Sequence, residues 1–407
     1  MAAAPSTPVA AGPAGASGSG QAKASAPASS VVPFVRGSGL GRYKFFSQAG
    51  ITLTTATQDL GPIDVKAYDF MRSILITVKA TAAGTSSGAI SSPAPDGPFN
   101  FFTNIMVKQP NGQTMYQVSS GHHAAMIHKY GGYAGYNDPR SYPGFSFTSG
   151  SSSEAQTLAF AFRIPFELNI RDALGSLPNK NAAAPFELDL TLNTLTNVWP
   201  GYVAGTSATF TVECWLEAWD QPPTTLGGAP CQTVPPNVNT LQRWTEQNIT
   251  LSTGQFDARV RKLGNYIREF IFISKNSSGV RAETNTWPDP VQIVLDEDVK
   301  DNISLAQWKR DIYEIWGYGK GIEVASLPAS TADYTTTIAD GVAGLDLAVY
   351  PKSYAYEFIG QHGHETGDLY LPTIESEDWL LRGSWGSASS KLVCLVCEVL
   401  PQGNIFS

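Results

Sequence analysis

The feature that most limits what this 407-residue chain can fold into is that its second half repeats its first. Phe46-Ser47-Gln48-Ala49-Gly50-Ile51-Thr52-Leu53-Thr54-Thr55 reads like Trp244-Thr245-Glu246-Gln247-Asn248-Ile249-Thr250-Leu251-Ser252-Thr253, with Ile51 and Ile249 offset by 198 residues. Phe70-Met71-Arg72-Ser73-Ile74-Leu75-Ile76-Thr77-Val78-Lys79 then matches Tyr266-Ile267-Arg268-Glu269-Phe270-Ile271-Phe272-Ile273-Ser274-Lys275, with Arg72 and Arg268 offset by 196. Next, Tyr130-Gly131-Gly132-Tyr133 echoes Ile315-Trp316-Gly317-Tyr318, with Gly132 and Gly317 offset by 185. Each half closes on an apolar strand, Phe210 to Trp219 and Lys391 to Leu400. Four matches in one order, with a slowly drifting offset, describe two copies of one module.

Within each module the pattern is mostly β. Ile51 and Leu53 alternate with Thr52 and Thr54, the signature of a half-buried strand. Ile74 to Val78 and Phe270 to Ile273 are apolar on nearly every residue, which predicts strands covered on both faces. Pro110-Asn111-Gly112 between Ile105-Met106-Val107 and Met115-Tyr116 predicts a hairpin, because Asn and Gly tolerate positive φ. One short helix interrupts the strands of each module at the corresponding place. In the first, Ser119 or Ser120 opens it, Met126, Ile127 and Tyr130 supply apolar contacts, and Gly131-Gly132 ends it. In the second, Ser304 caps with Gln307, Leu305, Trp308, Ile312 and Ile315 share one face, and Gly317 stops the helix.

Short strands with frequent turns indicate an antiparallel sandwich in each half. Eight-stranded jelly rolls manage sheet edges best at this module size. The expected fold class is all-β: two tandem eight-stranded antiparallel jelly rolls, a double jelly roll, with short flanking helices and long loops. The expected boundaries are an N-terminal arm over 1–33, a first jelly roll over 34–221, a linker over 222–243 rich in Pro and Gly, a second jelly roll over 244–401 and a tail over 402–407. Residues 1–33 are nearly all Ala, Pro, Ser and Gly with Lys23 the only charge, so they are expected to form a mobile arm. Arg36, Arg42 and Lys44 make the start of the folded part locally basic. The stretches 134–157 and 318–347 carry Gly, Ser, Thr and Tyr without periodicity and read as long loops facing outward.

Composition narrows the function. The formal net charge is −8, with no long basic run, which argues against direct nucleic-acid binding. Charged residues are only 15 % of the chain, below the usual quarter or so, which suits surfaces covered by other subunits. Four cysteines are too few and too irregular for a disulfide framework, and Cys394-x-x-Cys397 lies in an apolar run where strand geometry points the two thiols to opposite faces. No apolar run reaches the ~18–20 residues of a membrane span, and the N-terminal residues lack the charged and hydrophobic regions of a secretory signal. The expectation is a protein made in a reducing cytoplasm.

The chain resembles the double jelly-roll major capsid proteins of tailless, membrane-containing bacteriophages, the tectivirus type. The likeness covers roughly residues 34–401 in architecture and is sharpest over 100–112, Asn100-Phe101-Phe102-Thr103-Asn104-Ile105-Met106-Val107-Lys108-Gln109-Pro110-Asn111-Gly112, and over 171–181. The resemblance implies a homotrimer with a pseudo-hexagonal outline, built with neighbouring capsomers into an icosahedral virion shell around an internal membrane and a double-stranded DNA genome. It implies minor capsid and vertex proteins as partners, an N-terminal arm facing the membrane or neighbouring capsomers, and no direct nucleic-acid contact. The expectation is a structural protein of the virion, assembled in the host cytoplasm, and not an enzyme.

Candidate chemistry is sparse, and no catalytic, cofactor-binding or metal residue is assigned. His362-Gly363-His364-Glu365 resembles the first metal motif of cupins, which are jelly rolls, since residues two apart on a strand face the same way. However, Glu365 is adjacent where the cupin acid comes later, Asp368 would have to substitute, and no His follows His364. A polar loop is the better reading. His122, His123 and His128 miss the i, i+4 spacing of a helical metal pair and read as structural. Asp296-Glu297-Asp298 and Glu375-Ser376-Glu377-Asp378 lack the Gly-punctuated spacing of a calcium loop and read as solvated turns. The sequons at Asn248, Asn276 and Asn302 matter only in a secretory pathway. Two alternatives remain beside the coat reading: a duplicated jelly-roll enzyme, either a cupin-like metal enzyme or an amidase, and a carbohydrate-binding sandwich. Both predict a concave site, whereas the coat reading predicts flat complementary sides.

Overall fold

The structure is a computed structural model. It describes residues 31–86, 94, 96–131, 139–141, 144–149, 156–168, 172–203, 205–236, 240–261, 263–281, 287–316, 348–354, 370–386 and 390–400. The greater part of the arm, the segment with His362 and His364, and 318–347 lie outside the described residues.

The first module supplies β1 (Leu40–Thr52), β2 (Ile63–Val65), β3 (Phe70–Ala82), β4 (Phe102–Lys108), β5 (Thr114–Val118), helix α1 (Gly121–Tyr130), β6 (Gln156–Pro165), β7 (Phe186–Leu192) and β8 (Thr209–Trp219). The second supplies β9 (Leu241–Thr250), β10 (Gly254–Val260), β11 (Tyr266–Lys275), β12 (Val291–Leu295), β13 (Asp298–Ile303), helix α2 (Leu305–Trp316), β14 (Val349–Ser353), β15 (Trp379–Trp385) and β16 (Lys391–Leu400). Adding eight to any strand of the first module gives its counterpart in the second.

Pairing follows that rule. In the first module one sheet runs β1-β8-β3-β6 and the other β2-β7-β4-β5. In the second they run β9-β16-β11-β14 and β10-β15-β12-β13. Two four-stranded antiparallel sheets in this permuted order are a jelly roll, so the chain is a double jelly roll. Register agrees as well: Cys214 sits opposite Ile76, and Cys394 sits opposite Phe272. The two cysteines hold the same place in the repeat.

Local signals explain the elements. Gly112 takes φ +82° in the turn between β4 and β5, where Asn111 Oδ1 accepts from Gln113 N. Ser120 Oγ accepts from His122 N at the start of α1, and Ser304 Oγ accepts from Gln307 N at the start of α2. Gly227 and Gly228, both at positive φ, turn a small hairpin between Thr225–Leu226 and Ala229–Pro230. Each sandwich has an aromatic centre. Phe101 meets Phe160 and Phe210 in the first, while Trp379 lies 4.3 Å from Phe270 and stacks on Phe272 in the second. Burying such a ring contributes roughly 1.5–3 kcal/mol.

One expectation fails. Ile74 to Val78 is not covered on both faces: Ile74, Ile76 and Val78 are buried, but Leu75 and Thr77 are half-exposed. Those two point from the outer face of β1-β8-β3-β6, which no element among the described residues roofs over. Phe270 to Ile273 does meet the expectation, since all four are fully buried. What covers the second face there is the first module.

Candidate functional site: the seam between the modules

The two jelly rolls share a sheet. The order β14-β11-β16-β9-β5-β4-β7 is continuous, with β5 of the first module beside β9 of the second in parallel at Tyr116 and Trp244. Helix α1 lies over the outer face of β9-β16-β11, and all ten of its residues are buried. Gly121 is needed at its start, because a Cβ there would lie 2.1 Å from the carbonyl oxygen of Phe99.

Polar contacts hold both ends of α1 to the second module. At its N-terminus, Glu246 on β9 accepts from Ser119 N at 2.8 Å and Ser119 Oγ at 2.6 Å, and pairs with His123 Nδ1 at 2.8 Å. Burial pushes the Glu246 carboxyl up, but the bonds and charge from His123 and the Ser119 donors outweigh it and hold it at about 2. Lys275 Nζ lies 3.4 Å from His123 Nε2 on the other side of the ring. At the C-terminus, Arg268 donates to the carbonyl of Gly131 at 3.1 Å. Beside this, Arg281 and Lys275 of the second module approach Asp96 of the first at 2.5 and 3.9 Å. Burial opposes ionisation of Asp96, yet the charges of Arg281 and Lys275 and the bond from Arg281 hold its carboxyl well below the usual range, while burial keeps neighbouring His122 well below its own. A third contact is apolar, with Leu168 and Leu174 packed on Tyr370 and Val399.

The residues singled out from sequence fall as follows. His122 and His123 belong to this seam, while His128 Nδ1 accepts from Arg163 N within the first module. His362, His364, Glu365 and Asp368 lie outside the described residues. The two acidic stretches meet each other: Asp296, at φ +49° in the turn from β12 to β13, accepts from the backbone N of Glu377 and Asp378. Asp378, half-exposed, also pairs with Arg259 at 2.8 Å and Asp298 with Lys300 at 3.2 Å, while Glu297, Glu375 and Glu377 are exposed. Cys394 and Cys397 are buried on β16, and burial pushes both thiols up, away from the reactive thiolate. Arg42 and Lys44, the basic start of the fold, are paired with Glu217 at 2.7 Å and Glu213 at 3.0 Å. Among the described residues no group of three or more His, Cys, Asp or Glu is placed to hold a metal, and no helix is long and apolar enough to cross a membrane. Sequence reasoning missed Glu246, Lys275, Arg268, Asp96 and Arg281. The aligned Arg72/Arg268 and Lys79/Lys275 pairs were the available signal for two of them.

No family model and no curated protein matches the chain. Solved structures do. A chain from the atomic structure of Sulfolobus Turreted Icosahedral Virus superposes with a TM-score of 0.57 at 14 % identity, over 89 % of this chain and 91 % of that one. A crystal structure described as that of the STIV MCP gives 0.57 at 13 % identity, covering 89 % of this chain and 97 % of that one. The Faustovirus major capsid protein gives 0.52 at 8 % identity, covering 89 % and 90 %. At such identities the likeness establishes the fold across almost the whole chain.

Proposed function

We propose that this double jelly roll is the major coat subunit of an icosahedral virus, and that it works by assembly and not by catalysis. The observation that carries the reading is the seam: two similar blocks stand side by side in one chain, joined through a shared sheet and a fully buried helix. Three such chains supply six similar blocks, so a trimer approximates a hexagon, and hexagonal units tile a curved shell. The structural neighbours include the Faustovirus major capsid protein and a chain from the structure of an icosahedral virus, which supports the same reading.

In finer detail, the subunit is a homotrimer that meets neighbouring capsomers, with minor capsid and vertex proteins completing the shell. The shell surrounds an internal membrane and a double-stranded DNA genome, as in tailless bacteriophages of the tectivirus type. The arm over 1–33 faces inward, toward lipid or adjoining capsomers, and the net charge of −8 suits a coat that makes no direct nucleic-acid contact. Assembly takes place in the host cytoplasm and the protein resides in the virion.

The test is the solution mass of the purified chain by light scattering, with negative-stain images of the same peak. A stable trimer with a hexagonal outline is the expected result. A chain that stays monomeric at every concentration would overturn the coat reading.

A further inference from the structure

The seam has only one half of its possible partners inside the chain. Strand β5 meets β9, but their counterparts β13 and β1 are both free edges among the described residues. Helix α1 is buried on the outer face of β9-β16-β11, but its counterpart α2 covers no such second sheet among the described residues. Superposing the N-caps Ser120 and Ser304 matches the helices at an offset of 184, one less than at Gly132 and Gly317, because the glycine stop lies one residue further from the cap in α2. Ala124 and His128 correspond to Trp308 and Ile312, and these four face their own module. His122, His123, Met126, Ile127 and Tyr130 then correspond to Ala306, Gln307, Arg310, Asp311 and Glu314. The first five are buried. The second five line a shallow open groove.

The complementary surface is the outer face of β1-β8-β3-β6. The sequence repeat sets Gln48 against Glu246, but β1 carries two register shifts that β9 lacks, and sheet register places Lys44 opposite Trp215 as Glu246 is placed opposite Leu395. Offsets along the third strand put Lys79 at the place of Lys275 and Arg72 at that of Arg268. This face carries half-exposed Leu75, Thr77 and Trp215 among charged groups. It is more polar than its buried counterpart, as suits a surface that meets water before assembly.

We propose that the outward face of α2 docks on the outer face of β1-β8-β3-β6 of a second copy of this chain, repeating between chains the contact that α1 makes within one. The β13 edge then lies beside the β1 edge of that copy. Gln307 takes the place of His123 and lies between Lys44 and Lys79 of the second copy. Asp311, and Glu314 with its helix partner Arg310, face a surface that presents Lys44, paired with Glu213, and exposed Lys79. The contact is heterologous, so it forms a closed ring when three copies complete the turn. Covering two free edges at once also removes a template for uncontrolled strand pairing. The inference rests on the coat reading and adds to it which surfaces meet.

The experiment combines crosslinking with charge reversal on the full chain. Gln307→Cys and Lys44→Cys in the same chain, treated with a short bis-maleimide, are expected to give covalent dimers and trimers on a denaturing gel. Either substitution alone, and the wild type with its buried native thiols, should give none. Asp311→Lys with Glu314→Lys is expected to weaken the trimer about tenfold or more, Lys79→Glu to weaken it less, and the combination to recover part of the loss. Thermal melts of the monomer fraction check that each variant folds. A wild-type trimer whose double-cysteine variant does not crosslink, or whose charge variants assemble unchanged, would overturn this inference and leave the coat reading intact. A wild type that never oligomerises would overturn the coat reading, and this inference with it.

Discussion

The outer faces of β1-β8-β3-β6 and β9-β16-β11-β14 occupy the same place in the repeat and have opposite chemistry. On the second, Ile271, Ile273, Val393 and Leu395 are fully buried, and the carboxylate of Glu246 is held by three donors. On the first, their counterparts are Leu75, Thr77, Glu213 and Trp215, half-exposed and interleaved with ion pairs. Glu217 shows how that face tolerates charge: burial pushes its carboxyl up, but Arg163 and Arg42 with a bond from Ser73 hold it at about 2. The lesson is that duplication preserved the sheet and let its outer surface follow its neighbour. Where the neighbour is covalently attached the face became apolar; where none is attached it stayed wet.

The largest expected effect tests the carboxylate of the seam against its counterpart. Glu246→Ala leaves His123 and Ser119 without their acceptor in a buried site and is expected to cost about 3–5 kcal/mol. Lys44→Ala, at the same sheet position in the first module, removes an exposed pair and should cost about 0–1 kcal/mol. Denaturant midpoints of the two variants measure both, and equal losses would break the comparison. Acid gives a second readout. Glu246 and Glu217 have folded values near 2 against an ordinary 4.5, so their stabilisation is present above pH 4.5 and is lost as the pH falls toward 2. In Glu246→Gln the stability should fall less between those limits than in the wild type.

Next in size is the apolar pair. Ile271→Ala opens a cavity between a sheet and a helix and is expected to cost about 2–5 kcal/mol. Leu75→Ala, its counterpart on a half-open face, can relax toward solvent and should cost about 1 kcal/mol. The difference between the two is the worth of the roof that α1 provides, read by urea unfolding of each.

Much of this was legible in the sequence. The repeat fixed two modules, Asn111-Gly112 gave a hairpin, and Ser120 and Ser304 marked both helices, because each signal lies within a few residues of what it controls. The misreading of Ile74 to Val78 has a different source. A run of apolar residues says that a strand is suited to burial, whereas the covering of its second face depends on which element arrives there. The seam was hidden for the same reason. His123 and Glu246 stand 123 residues apart in the chain, and no local periodicity links a helix to a strand of the next module. Their pairing follows only from the placement of α1 over β9.

A smaller effect of opposite sign should appear at Glu269. It occupies the position of Ser73, but its strand neighbour is Cys397 where Ser73 has the ionised Glu217. Burial pushes its carboxyl well above the ordinary value, with adjacent Arg268 only partly opposing. Oε1 has no hydrogen-bond partner among the described residues. A raised acid contributes stability below its unfolded value near 4.5 and loses it as the pH rises toward the folded value. Glu269→Gln is therefore expected to stabilise the chain at pH 7 by about 1–3 kcal/mol and to flatten its stability between pH 5 and 8. A variant less stable than wild type at pH 7 would mean that the carboxylate is ionised and paired.

The finest comparison is between the two caps. Ser120 and Ser304 both accept one backbone N–H at 3.2 Å, so the bonds deleted by Ser120→Ala and Ser304→Ala are alike. An N-cap is worth about 1 kcal/mol in either helix. The surroundings differ, because water can reach the first turn of α2, where Ala306 and Gln307 are exposed, but not that of α1, where His122 and His123 are buried. A freed donor in α2 finds solvent, while one in α1 is stranded between modules. Ser120→Ala should therefore cost about 1 kcal/mol more than Ser304→Ala in the monomer. In the trimer the docking of α2 on a second copy would dry its first turn, and the gap between the two variants should close. Hydrogen exchange of His122 and Gln307 amides in both states measures this directly, and a gap that persists in the trimer would place α2 away from the interface.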